Sequence, residues 1–253
     1  PYFMRKDLMA SVAQLSDFDE QLYKVSAKPD CPEDDKYLIA TSEQPLCAYH
    51  SKETLEEDEL PKRYAGVSMC FRKEVGKMNQ EIRGIFRVHQ FEKVEQFMVT
   101  RGDISASRAA HVEMLHCAEE FHQSLRLPYR VVSIVSGELN DAAVAKFDLE
   151  GWFHGQCAYR ELVSCSNCTD YQSRALEIRG RSAPSSGSKA PNAASSLSYV
   201  HMLNSTLTAT GRGICCILEA YQTEDGVNIP EVLVPYMGGM TFIPFIREPQ
   251  GKT

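Results

Sequence analysis

The sequence predicts an α+β fold, a mainly antiparallel sheet flanked by helices, and three observations carry that prediction. Helical and strand-like stretches alternate irregularly, without the repeated βαβ period of a parallel sheet. Two strand-like stretches, 67–75 and 86–99, flank a polar segment containing Gly76 and Gly84, which reads as a hairpin with a long loop. Val112, Leu115, Phe121 and Leu125 mark one face of a helix over about 105–125, which Pro128 ends before the β-branched stretch 131–135.

The remaining elements follow in chain order. Leu8, Val12 and Leu15 have helical spacing over 4–16, and 30–35, with Pro29 and Pro32, reads as a loop. Residues 37–41 read as a buried strand and 43–50 as a helix. The acidic run 56–59 reads as solvated surface rather than a site. Residues 180–198, rich in Ser, Gly, Ala and Pro, read as a flexible insertion in a single domain spanning 1–253. Tyr199 to Leu203 suits a strand, and Ile214, Ile217, Leu218 and Tyr221 form a helical stripe.

Composition narrows the function classes. A 253-residue chain with 43% hydrophobic and 24% charged residues affords a sizeable core. It has no apolar run of roughly 18 residues and no basic-then-apolar start, so neither a membrane span nor a secretory signal is indicated. Nine cysteines, two of them adjacent at 215 and 216, fit a reducing compartment, and the expected location is cytoplasmic. The net charge of −7 argues against a domain that grips nucleic acid through its own basic surface.

Alternation along the hairpin puts the bulky apolar residues of 67–75 on one face and Arg72 and Glu74 on the other. On the second strand Arg87, His89, Phe91, Lys93 and Glu95 share a face. Such a face is either solvated and laced with Arg–Glu pairs, or a nucleotide site. Guanidinium groups pair with phosphate, a carboxylate accepts from an exocyclic amine, and a phenyl ring stacks on a base.

The order of the residues resembles a known pattern. Phe71-Arg72-Lys73-Glu74, a polar loop, and 84–97 (Gly-Ile-Phe-Arg-Val-His-Gln-Phe-Glu-Lys-Val-Glu-Gln-Phe) resemble the second signature motif of class II aminoacyl-tRNA synthetases in its seryl-tRNA synthetase form. Segments 40–45, 160–172, 201–204 and 218–222 agree in order, so the likeness spans nearly the whole chain, with the eukaryotic cytosolic enzymes nearest.

The resemblance implies a class II catalytic core that uses ATP and Mg²⁺ to activate L-serine and then transfers it to tRNA(Ser), and to tRNA(Sec) where present. It implies that Arg72, Arg87 and Arg212 are catalytic. Arg72 bridges the α-phosphate and the serine carboxylate, Glu74 reads the adenine amine, and Arg87 holds the outer phosphates. Phe91 and Arg212 stack on opposite faces of the adenine. Val88, His89 and Gln90, with Glu161, Leu162, Val163 and Ser164, complete the ATP site. Thr41, Ser42, Glu43, Arg72, Glu95, Asn204 and Thr206 form the serine pocket, and Glu161 and Ser164 ligate Mg²⁺.

Each assignment has a plainer counterpart. Arg212, in Thr210-Gly211-Arg212-Gly213, equally suits a turn with a surface cation, and Glu161 suits an ion pair with Arg160. His89 suits a structural hydrogen bond. Glu161 and Ser164, three apart on a regular strand, would face opposite sides, so both reach one metal only across a twist or bulge. Cys165 and Cys168 have zinc-ligand spacing but lack a second pair, and His111, His116 and His122 read as surface or rim residues. The chain also resembles a fragment. The family's tRNA-gripping coiled coil and the first-motif helix of its homodimer interface are not in the sequence, except for a proline that Pro1 could match. The alternative function is a synthetase-derived binding protein that has lost catalysis.

Overall fold

A computed structural model describes residues 2–12, 21–26, 35–74, 84–181 and 197–246. Its centre is a six-stranded sheet of Lys62–Phe71 (β1), Gln90–Thr100 (β2), Tyr129–Ser133 (β3), Ala145–Phe153 (β4), Ala158–Asn167 (β5) and His201–Ala209 (β6). The order is β1-β2-β6-β5-β4-β3, and every neighbouring pair is antiparallel. The expected class II synthetase-like α+β architecture, an antiparallel sheet flanked by helices, is therefore what the chain adopts.

Helix Ile104–Ser124 (α1) packs on β6, β5 and β2. Its start is fixed by Asp103, whose carboxylate accepts from the Ala106 amide at 2.8 Å and satisfies one of the free donors of the first turn. Helix Thr210–Ala220 (α2) continues directly from β6 and reaches β2, β4 and the turn Gly84–Phe86. At the other end, helices Lys6–Val12, Glu43–Ala48 and Tyr171–Ala175 surround a core in which Met9, Ile39, Phe97, Val99, Ile178 and Met202 are almost fully enclosed. Burying such a side chain contributes roughly 1.5–3 kcal/mol, so these short elements are held by packing rather than by their own helical propensity.

Several local expectations are corrected. The hairpin's first strand ends at Phe71, and its inward residues are Ser68 and Cys70, while Val67 is 65% exposed. The helix Glu43–Ala48 packs on the face of β1 that carries Gly66 and Ser68, whereas α1 packs on β2, β5 and β6, so the Val67 side chain points to the less covered face. The second strand begins at Gln90, after a 3₁₀ turn at Gly84–Phe86. In α1 the buried face runs through Ala110, Met114 and Ala118, and Val112 is exposed. His111 and His122 are buried rather than superficial. Their rings bond the carbonyls of Cys165 (2.9 Å) and Ala118 (2.8 Å), and burial lowers both pKa values. His116 is exposed as expected.

The strand expected at 131–135 is the exposed edge Tyr129–Ser133. In α2 the enclosed residue is Cys216, whereas Ile214 and Leu218 are exposed. Residues 179–181 and 197–199, at the margins of the expected insertion, form a paired antiparallel ladder. Of the expected features, residues 182–196 of the insertion, 30–34 of the loop, 75–83 of the polar hairpin segment, 13–16 of the first helix and Pro1 lie outside the described residues. No described helix is long and apolar enough to cross a membrane.

Candidate active site

A cleft of about 260 Å³ opens over β2, β6 and β5, with α2 and the turn Gly84–Phe86 at one end. Strand alternation accounts for its floor: Phe91, Lys93 and Glu95 recur every second residue of β2 and all line it. Thr206 pairs with Glu95 at a register shift in β6, and Asn204 lies two residues before it on the same face. Gly84, at φ +81°, turns the chain so that Ile85, Phe86, Arg87 and Val88 reach the rim.

The spacing problem on β5 is solved by a bulge. Leu149 pairs with Val163 but Glu150 pairs with Glu161, so one extra residue is inserted on β5. Leu162 and Val163 are both buried in succession, and Glu161 and Ser164 both line the cleft.

Three guanidinium groups converge here. The Arg72 Nε–H donates to the Ala40 carbonyl at 3.2 Å, and the Arg72 guanidinium carbon lies 5.4 Å from the centre of the Phe91 ring. Arg87 pairs with Glu74, whose backbone is left-handed at φ 52°. The Arg212 Nη1 donates to the Glu161 carbonyl at 3.0 Å and stands 3.5 Å from its carboxylate. Arg212 also lies over the Phe86 ring at 4.7 Å. Burial lowers the Arg212 pKa; Glu161 opposes that, and Arg72 and Arg87 add to it.

The deep end is a network of charge. Glu95 and Lys93 form an ion pair and are 1% and 6% exposed. The Lys93 ammonium also donates to the Thr41 hydroxyl at 2.6 Å. Glu43 faces them, and its carboxylate accepts from the buried Gln172 amide at 2.9 Å. Desolvation, then the neighbouring Glu95 charge, pushes the Glu43 carboxyl up to about 7, while Lys93 and Arg72 pull the other way.

Of the sequence-predicted site residues, Thr41, Glu43, Arg72, Glu74, Arg87, Val88, Phe91 and Glu95 line the cleft. Glu161, Leu162, Ser164, Asn204, Thr206 and Arg212 line it as well. Ser42, His89, Gln90 and Val163 do not. Ser42 is buried against Ser68 with their hydroxyls 2.6 Å apart, His89 bonds the Tyr23 hydroxyl at 2.8 Å, Gln90 is exposed, and Val163 belongs to the core. Sequence reasoning placed Lys93 on the correct face without giving it a role. It missed Phe86, Asn140, Lys146 and Ser166, which the tertiary fold brings to the cleft. Cys165 and Cys168 are buried in the interior, where desolvation raises both thiol pKa values, to about 12 for Cys165.

An antiparallel sheet carrying a cleft of paired Arg and carboxylate groups, closed by a helix whose first turn bears Arg212, defines the catalytic core of a class II tRNA synthetase. The family model described as the tRNA synthetase class II core domain (G, H, P, S and T) matches residues 23–221, and the chain belongs to that family. Within it, the chain is 61% identical over 249 residues to the cytoplasmic serine--tRNA ligase of Arabidopsis thaliana, covering 98% of this chain and 53% of that protein. The structure of the cytoplasmic serine-tRNA ligase of Naegleria fowleri with AMP superposes with a TM-score of 0.87 at 55% identity, covering 98% of this chain and 55% of that one. The seryl-tRNA synthetase of Pyrococcus horikoshii complexed with ATP gives 0.86 at 43% identity, covering 98% and 52%. The chain thus spans about half the length of the relatives it matches.

Proposed function

We propose that this chain is the catalytic part of a serine--tRNA ligase, which activates L-serine with ATP to seryl-adenylate and pyrophosphate and passes serine to tRNA(Ser), and to tRNA(Sec) where present. The observation that carries the reading is the convergence of Arg72, Arg87 and Arg212 with Glu43, Glu95 and Asn204 in one cleft.

The serine carboxylate is ionised and needs no general base, so catalysis rests on position and charge. Arg72 would hold that carboxylate against the α-phosphate, and Arg87, released from Glu74, would take the outer phosphates. Phe91 offers a ring face to adenine and Arg212 a cation opposite. Thr41, Glu43 and Glu95 would receive the ammonium group. Asn204 and Thr206 would bond the side-chain hydroxyl, so that alanine leaves polar groups unpaired. Ser42 and Val163, both buried, would support these walls from behind.

The bulge supports a divalent-cation site. It brings a carboxylate, Glu161, and a hydroxyl, Ser164, to the same side, a hard-oxygen pair suited to Mg²⁺. Bound there, Mg²⁺ would neutralise phosphate charge. Cytoplasmic location, a homodimer and tRNA binding through a coiled coil outside this chain complete the proposal. The relatives' names, the family likeness and the chain's acidic charge favour these features.

The test is ATP–pyrophosphate exchange with serine, threonine, alanine and glycine in turn, on this chain and on a version extended upstream. Exchange dependent on serine alone is expected. Silence from both chains would favour a relative that kept the fold and lost the reaction.

A further inference from the structure

Asp148 has no part in the roles assigned so far, yet it is a carboxylate only 6% exposed, lying behind the cleft residue Ser164. It stands directly opposite Ser164 in the ladder of β4 and β5, which puts the two side chains on one face of the sheet, within reach of each other. Lys146, two residues earlier on β4 and itself a cleft residue, places its ammonium 3.3 Å from the Asp148 Oδ1. That Oδ1 is a buried oxygen with no hydrogen-bond partner among the described residues. Glu161, across the bulge, is near enough for its charge to be felt at Asp148.

A buried carboxylate is costly even when paired with one lysine, so its retention calls for a reason. Ser164 supplies one. A hydroxyl carries one proton and two lone pairs, and it ligates a cation only if the proton points away. An acceptor directly behind the hydroxyl fixes that rotor, as outer carboxylates do for ligands at metal sites.

Resting on the metal reading given above, we infer that Asp148 is a positioning residue of the divalent-cation site. It accepts the hydrogen bond of the Ser164 hydroxyl and so turns the hydroxyl lone pairs toward the cleft beside Glu161. Lys146 balances the Asp148 charge.

The experiment is a Mn²⁺ titration followed by electron paramagnetic resonance, with and without α,β-methylene ATP, which cannot be cleaved at the α-phosphorus. Wild type is compared with Asp148→Asn, Ser164→Ala, the double variant and Glu161→Gln. Asp148→Asn is isosteric, and its melting temperature is measured alongside. The expected result is a loss of about tenfold in Mn²⁺ affinity of the nucleotide complex, with affinity for metal-free nucleotide unchanged. The double variant should be no weaker than Ser164→Ala alone, because Asp148 acts through Ser164. Wild-type Mn²⁺ affinity in Asp148→Asn while Glu161→Gln loses it would overturn the inference and leave the metal site standing. Unchanged affinity in Glu161→Gln would remove the metal site, and the inference with it.

Discussion

Glu43 should cost the fold stability, and replacing it by Gln should return that stability in a pH-dependent way. Its carboxyl stands at about 7 against 4.5 for the free group. The folded state therefore holds a proton that the unfolded chain has released, and folding is opposed increasingly as pH rises from about 4.5 to 7. With 1.36 kcal/mol per tenfold change, the opposition is roughly 1 kcal/mol at pH 5 and roughly 3 kcal/mol at pH 8. Glu43 is half-buried, so water in the cleft makes these upper values. The amide oxygen of Glu43→Gln can still accept from Gln172, so the bond at 2.9 Å survives the exchange. At about 2–4 °C per kcal/mol for a domain of this size, the variant should melt higher by up to about 6–12 °C at pH 8 and only slightly higher at pH 5. Thermal and urea unfolding of both proteins at the two pH values is the assay. Taking the difference between proteins at each pH cancels the contributions of His111 and His122, which titrate in both. An equal gain at the two pH values, or a loss at pH 8, would refute the reasoning.

Other predictions test separate parts of the structure. Lys93→Met strands the buried Glu95 carboxylate and should destabilise by about 3–5 kcal/mol, measured by urea unfolding. Gly102→Ala would put a methyl 2.1 Å from the Tyr199 backbone oxygen, so the chain must move; about 1–3 kcal/mol should be lost, read from the same unfolding curves. His111 and His122 are buried with lowered pKa values, so the stability they contribute is present above about 6.5 and falls as pH drops below it. Replacing both with Gln should flatten that part of the pH–stability profile. Arg72→Ala should abolish serine-dependent pyrophosphate exchange while the melting temperature stays within a few degrees, since Arg72 points into a cleft and packs little core.

The fold class and most of the cleft were legible in the sequence because they depend on short-range order. A hairpin whose second strand reads Phe91, Lys93, Glu95 sends those residues to one face by alternation alone, wherever the strand ends up. Arg212 was legible only through the family resemblance of its place before the Ile214 helix, since an Arg between two glycines equally suits a surface turn. The segments around Thr41, Glu161 and Asn204 were legible because their order matches the family, although nothing local says they meet.

What only the tertiary structure decided were matters of register, edge and depth. The bulge that brings Glu161 and Ser164 together exists because β4 pairs with β5 one residue out of step, which neither strand records alone. Val67 is exposed and Ser68 buried because the 42–48 segment covers the Ser68 face of β1, and a strand's sequence does not say which face another element will cover. His111 and His122 went inward because α1 packs on the sheet; the His111 ring meets the Cys165 carbonyl of β5, and the His122 ring bonds the Ala118 carbonyl one turn back in α1. Asp148 became a buried carboxylate behind the cleft because its cross-strand partner is Ser164. Sequence determines which side chains share a face of one element; the packing of elements determines which faces meet, and burial, paired charge and shifted protonation arise only there.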